Sequence, residues 1–261
     1  EHNAFFHIFI GNVSRQKSDL VDLYLTPGWH LPKIQNLVSL ASLHNFNVKN
    51  EVRNVKGYDI LYVTNANEAR MYSYGGFYAT MEVNAFKHMD FIKKFFNNLT
   101  PSILGKTYIR DPPMDYQKQR LIYDKNAFCG DNFANTKKAD SEYSFGLRAK
   151  DQILFSKFII VDSISTTYLE CLFMNKPFIF FLNLNTNYLT QESATFFDEL
   201  ISAGICWTNP ILASNFVNQN YNNIDNWWNL EATQRARLSF LEQNFQHVDV
   251  ALNFYKQLAL N

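Results

Sequence analysis

The chain has 261 residues, 47% of them hydrophobic and 18% charged, with a formal net charge of zero. That is enough apolar material for a packed core in one large domain or two small ones, and too little charge for a disordered chain. Balanced charge gives no general attraction to nucleic-acid backbones or anionic membranes, so neither is expected as a partner.

The three cysteines, Cys129, Cys171 and Cys206, are far apart and lack CxxC spacing. A zinc site or disulfide framework is therefore not expected, and a reducing compartment is. The sequence contains no signal peptide and no stretch long and apolar enough to span a bilayer. The expected location is the cytoplasm. The chain begins at Glu1 without Met, as a piece of a longer protein would. The 24 Phe and 14 Tyr are explained by an AT-rich codon bias rather than by an aromatic binding stripe.

Residues 1 to about 50 read as a less regular lead-in. Ala4 to Gly11 is a candidate strand, "LTPGWHLPK" a loop, and Ile34 to Leu43 a helix by the spacing of Leu37, Leu40 and Leu43. A repeating pattern then begins. Asp59 to Val63 is a short apolar strand. "FYATMEVNAFKHMDFIKKFFNNL" is a long amphipathic helix, with Met81, Met89, Ile92, Phe96 and Leu99 on its apolar face and Pro101 as its stop. Lys106 to Arg110 is a second strand.

Residues 115 to 151 are polar and give no clear element. "FSKFIIVD" is a strand, "TTYLECLFM" a short helix ending at Asn175, and "PFIFFL" another buried strand. "ESATFFDELISAG" is a helix with Ala194, Phe197, Leu200 and Ile201 inward and Gly204 as its stop. "GICW" is a last strand. Two helices, "LEATQRARLSFLEQNF" and "VDVALNFYKQLAL", follow Trp227-Trp228. Strands that are apolar throughout and alternate with helices predict an α/β fold, a Rossmann-like parallel sheet with helices on both faces and a helical C-terminal tail.

Ligands of such sheets bind beyond the carboxyl ends of the strands. There the sequence places Thr64 and Asn65 after the first strand, and Arg110, Asp111, Asp115 and Tyr116 after the second. Ser163, Ser165, Thr166 and Thr167 follow the third. A cation, several hydroxyls and a helix N-terminus on one edge make an anion site. Glu170, one turn further, can accept hydrogen bonds from a ribose. Thr167-x-x-Glu170 equally fits a capping box, in which the Glu serves its own helix. A lone Arg at a strand end is more often a surface ion-pair partner, here of Asp111 or Asp115. Asp115 and Asp162 fit bases or, more usually, turn caps.

The six histidines show no metal-ligand spacing, and there is no GxGxxG, Walker or GxSxG motif. Dehydrogenases, P-loop enzymes and α/β-hydrolases are disfavoured accordingly. No metal site is expected.

An ordered set of short motifs spans residues 58 to 246. It reads Arg110-Asp-Pro-Pro-Met-Asp115-Tyr116, Thr166-Thr167-Tyr-Leu-Glu170, Asn175-Lys-Pro177, Phe196 to Leu200 with Gly204-Ile205, Trp227-Trp228, and Gln234 to Phe240. This set resembles the C-terminal, donor-binding half of GT-B glycosyltransferases, in particular bacterial transferases of surface-carbohydrate biosynthesis. The resemblance implies a glycosyltransferase that takes a sugar from a nucleotide-sugar donor to a carbohydrate or glycolipid acceptor of a surface polysaccharide. It implies no cofactor and no metal, and a place in the cytoplasm or at the inner face of the membrane. Arg110 and Asp111 would be catalytic. Thr64, Asn65, Asp115, Tyr116, Ser165, Thr166, Thr167 and Glu170 would bind the donor. Related transferases carry a His-Pro pair where this chain has Asp111-Pro112, so Asp111 does not simply inherit that role. Residues 1–57 would be a remnant of an acceptor domain or a linker, and 58–261 the donor domain. The general base would come from a preceding acceptor domain. Two alternatives remain: a CDP-polyol phosphotransferase on the same fold, and a non-catalytic nucleotide- or partner-binding module.

Overall fold

The runs Ile60–Val63 (β3), Phe158–Val161 (β6) and Phe178–Phe181 (β7) each bury all four residues, as strands covered on both faces must. The computed structural model describes residues 19–26, 36–39, 57–64, 78–110, 136–138, 149–162, 164–183 and 191–244. These residues divide between two compact units. One comprises Val52–Asn187 and Gly204–Leu230, and the other Glu1–Glu51, Tyr188–Ala203 and Glu231–Asn261.

The first unit holds a six-stranded sheet. Thr107–Arg110 (β4), Lys137–Lys138 (β5) and Cys206–Trp207 (β8) complete it, in the order β5-β4-β3-β6-β7-β8, and every pair is parallel. The chain starts at the centre with β3 and winds outward through β4 and β5. It then returns to the other side of β3 and winds outward again. Counted from β3, this is the doubly wound order 3-2-1-4-5-6 of the Rossmann fold, and its direction reverses between β3 and β6.

Helices cover both faces. On one lies Tyr78–Asn97 (α1), with Pro210–Asn220 (α6) beside it. Phe91 and Phe95 of α1 meet Phe181, Phe96 meets Tyr62, and Ala213 and Val217 of α6 join the same core. Each large apolar side chain removed from water here contributes about 1.5–3 kcal/mol. Side chains alternate along a strand, so Phe180 faces the other side. There Tyr168 of Thr166–Phe173 (α4) stacks on it at 4.8 Å. Ala149–Phe155 (α3) packs against α4. Gly57 passes so close to α3 that a Cβ would collide with the Phe155 carbonyl oxygen.

The helix ends follow from local chemistry. α4 stops in a Schellman arrangement: Asn175 N–H donates to Leu172 O and Lys176 N–H to Cys171 O. Asn175 takes the left-handed conformation at φ 51°, which Asn tolerates better than most residues. Trp228 Nε1 donates to both the Asn175 side-chain oxygen and its carbonyl, at 3.0 and 3.2 Å. Trp228 belongs to Ile224–Trp228 (α7), so one member of the sequence motif's Trp pair serves the end of a helix, while Trp227 packs on Phe216. Asn209 caps α6 by accepting from Ile211 and Leu212 N–H. This helix carries no obvious apolar stripe, so the sequence alone does not mark it.

In the second unit, Tyr24–Thr26 (β1) pairs in parallel with Leu37–Ser39 (β2). Gln191–Ser202 (α5) packs on Glu231–Asn244 (α8) through Phe197 and Phe240, 5.6 Å apart.

Several expectations need correction. Leu37–Ser39 is a strand, not part of a helix over 34–43; a short apolar run fits both periods, and pairing with β1 decides. Ala194 and Ile201 are exposed, while Phe197 and Leu200 are buried, so the inward stripe of α5 is narrower than expected. α1 ends at Asn97, before Pro101, which instead opens the one-turn helix Pro101–Leu104 (α2). Phe155 belongs to α3 rather than to β6. The strand Lys137–Lys138 was not expected. The expected loop at 25–33 is overturned at its start, where Leu25 and Thr26 belong to β1; the rest of it, the expected strand at 4–11, the last helix, and the Met81 and Met89 side chains lie outside the described residues.

Candidate functional site

Parallel registry aligns the strand ends. Val63 pairs with Arg110 on one side and Val161 on the other, so β4, β3 and β6 finish level. With adjacent strands about 4.8 Å apart, Arg110 and Asp162 flank Thr64 at roughly 10 Å from each other. Thr64, Arg110 and the turn into α4 therefore share one edge, at the point where strand order reverses.

Each expected residue has its own local setting. Thr64 donates from its hydroxyl to the Arg110 carbonyl at 3.1 Å, and its N–H reaches the same oxygen at 3.2 Å. The Thr64 side chain thus ties two strand ends together. Arg110 is half-buried, and its Nε donates to Gln152 Oε1 at 2.7 Å. Gln152 lies on α3, 2% exposed, and its amide nitrogen donates to Tyr58 Oη at 3.4 Å.

Ser165 is the N-cap of α4, with extended φ and ψ, but its side chain makes no capping hydrogen bond. Thr167 stands two residues inside the helix. A capping box needs its Ser or Thr at the N-cap and its Glu three residues on. Tyr168 occupies that third position, so Thr167-x-x-Glu170 is out of register for one. Glu170 sits in the second turn, half-buried. Asn65, Asp111, Asp115, Tyr116, Ser163 and the Thr166 side chain lie outside the described residues.

The same edge carries residues that the sequence reading did not assign. Asp162 follows β6 and is buried. Its Oδ2 lies 3.9 Å from Nε2 of His88 on α1. Asn183, at the end of β7, donates to the Lys87 carbonyl at 3.4 Å, which fastens the same part of α1 to the rim. From sequence alone Asp162 fits only a base or a turn cap. His88 gave no signal, because its partner is 74 residues away in the chain. Gln152 gave none either, being one polar residue in an otherwise ordinary helix.

Behind the rim, Cys171 and Cys206 are free and buried, and burial raises both thiols well above their ordinary range. They are therefore poor nucleophiles. Among the described residues no cluster of His, Cys, Asp and Glu could hold a metal ion, and no helix is long and apolar enough to cross a membrane.

A family model described as "LIC12162 family transferase" matches residues 9–258 of the chain. No curated protein and no solved structure matches it.

Proposed function

The chain belongs to the LIC12162 family of transferases, and from that premise we propose that it moves a sugar from a nucleotide-activated donor to a bacterial surface-polysaccharide acceptor. A transferase needs a place for its donor. The observation that carries this reading is the common rim, where Arg110 and the first turn of α4 stand level on either side of β3. The N–H groups at a helix N-terminus and a guanidinium both favour an anion.

The donor phosphates would lie between Arg110 and the turn Ser165–Thr167, with Glu170 on the ribose. Thr64, Asn65, Asp115 and Tyr116 would complete the donor pocket. As the sugar leaves, negative charge grows on the nucleotide phosphate. A fixed cation and oriented N–H groups stabilise that charge more in the transition state than in the ground state. Such a device suits metal-independent, GT-B-type transfer with no cofactor. Asp111 is the nearest carboxylate in sequence to Arg110 and would act beside it. The general base would come from an acceptor domain. The enzyme would work in the cytoplasm, at the inner face of the membrane where glycolipid acceptors stand.

A thermal-shift panel of UDP, GDP, CDP and CMP tests the binding step, because a ligand that binds only the folded chain raises its melting temperature with concentration. The nucleotide that stabilises is then supplied as its sugar conjugate with membrane extract. Release of free nucleotide with incorporation of sugar into polymer supports the proposal. Turnover only of a CDP-linked polyol would replace it with phosphotransfer. No stabilisation by any nucleotide would leave a non-catalytic module.

A further inference from the structure

Asp162 stands beside the reversal of strand order, directly after β6. Its side chain is 5% exposed, and its Oδ1 has no hydrogen-bond partner among the described residues. Its Oδ2 faces His88 Nε2 at 3.9 Å, beyond hydrogen-bond length. A buried carboxylate normally accepts several hydrogen bonds, because ionised oxygens withdrawn from water without partners destabilise a fold. Polar side chains of the same rim are committed elsewhere: Thr64 to the Arg110 carbonyl, and Asn183 to the Lys87 carbonyl. Doubly wound sheets hold their ligands at this reversal.

We infer that Asp162 Oδ1 is a ligand contact that accepts a hydrogen bond from a hydroxyl of the donor's sugar or polyol portion. The inference rests on the transfer reading above and deepens it. A carboxylate repels phosphate oxygens and has no proton to give them, so the phosphate belongs with Arg110 and α4. Hydroxyls are donors and suit a bare carboxylate oxygen. His88 occupies the Oδ2 side, which leaves Oδ1 to meet the ligand. The rim is thereby divided into an anion-holding part and a hydroxyl-holding part.

The test compares the wild type with Asp162→Asn, and with Asp162→Ser in case the first variant folds poorly. Melting temperature is measured without ligand. Affinity is measured by calorimetry for UDP, GDP and CDP, and for UDP-glucose, GDP-mannose and CDP-glycerol. A group reserved for ligand is dispensable to the fold, so the unliganded melting temperature holds or rises by about 2 °C or more. The extra affinity of the conjugate over its bare nucleotide, expected at about tenfold or more for a hydrogen bond to a charged group, disappears in the variants. Conjugate and nucleotide affinities unchanged from wild type overturn the inference while the transfer reading stands. A wild type that binds none of the six compounds overturns the transfer reading. The inference, which rests on that reading, falls with it. A clear fall in both variants makes Asp162 structural and overturns the inference in either case.

Discussion

The guanidinium of Arg110 is held by a buried amide: its Nε donates to Gln152 Oε1 over 2.7 Å, and Gln152 is only 2% exposed. A hydrogen bond through Nε restrains the plane of the guanidinium and does not use its two terminal nitrogens. An Arg oriented in this way would suit the proposed role of Arg110 as an anion clamp. Replacing Gln152 with Leu keeps the volume and removes the acceptor. Nucleotide affinity is expected to fall about three- to tenfold, in line with a lost hydrogen bond to a charged group. Titration calorimetry on Gln152→Leu checks this. Unchanged affinity would show that the orientation of Arg110 does not matter to binding.

Glu170 is in the wrong register to close a capping box, since α4 is capped at Ser165. Glu170→Ala should therefore leave the melting temperature within about 2 °C of wild type, as exposed or half-exposed substitutions away from caps usually do. Nucleotide affinity should fall about tenfold if Glu170 holds two ribose hydroxyls. The paired measurement separates the two roles: a stability loss without an affinity loss would return Glu170 to its own helix.

Trp228 and Asn175 form a purely structural pair. Asn175→Val forces a β-branched residue to φ 51° and removes the side-chain acceptor of Trp228 Nε1. A cost of about 2 kcal/mol or more is expected from the left-handed backbone alone. Trp228→Phe keeps the ring and loses the donor, with a cost of about 1 kcal/mol. Urea unfolding curves measure both. Neither variant should change nucleotide affinity, because Asn175 lies at the far end of α4 from Ser165.

Much of the fold was readable because its evidence is local. β3, β6 and β7 are continuous apolar runs, with Gly57 shortly before β3 and Pro177 directly before β7. The level rim of Thr64, Arg110 and the α4 turn followed from the parallel reading of those strands. What stayed hidden depends on contacts distant in sequence. Leu37–Ser39 pairs as a strand only because Tyr24–Thr26 lies beside it. Lys137–Lys138 contributes two polar residues to an edge, where no apolar pattern is required. Asp162 and His88 meet only through the packing of α1 on the sheet. The apparent capping box failed because a motif of four residues does not say where the helix begins.

Stability should decline in alkali. Burial raises Tyr168 and the thiols of Cys171 and Cys206 above their ordinary values, and burial together with a hydrogen bond to Asp59 raises Tyr221. For a raised group the native state keeps its proton while the unfolded chain loses it. The native state then binds more protons, so stability falls as pH rises. The contribution is full below the ordinary values, 9.0 for the thiols and 10.0 for the phenols, and erodes above them. Lys176 runs the opposite way: burial lowers it, so the unfolded chain holds that proton more readily and this contribution to stability grows as pH rises toward the ordinary value of 10.5. Urea midpoints between pH 7 and 11 should be flat at first and drop from about pH 9. A midpoint that rises through this range would contradict the burial of these groups.

The most direct test of the proposed donor site is a calorimetric titration of UDP, GDP and CDP into the wild-type chain and into Arg110→Ala. The account predicts saturable binding of at least one nucleotide by the wild type, weakened about tenfold or more once the guanidinium is gone. Binding of equal strength in both proteins, or heat from none of the three nucleotides, would contradict it.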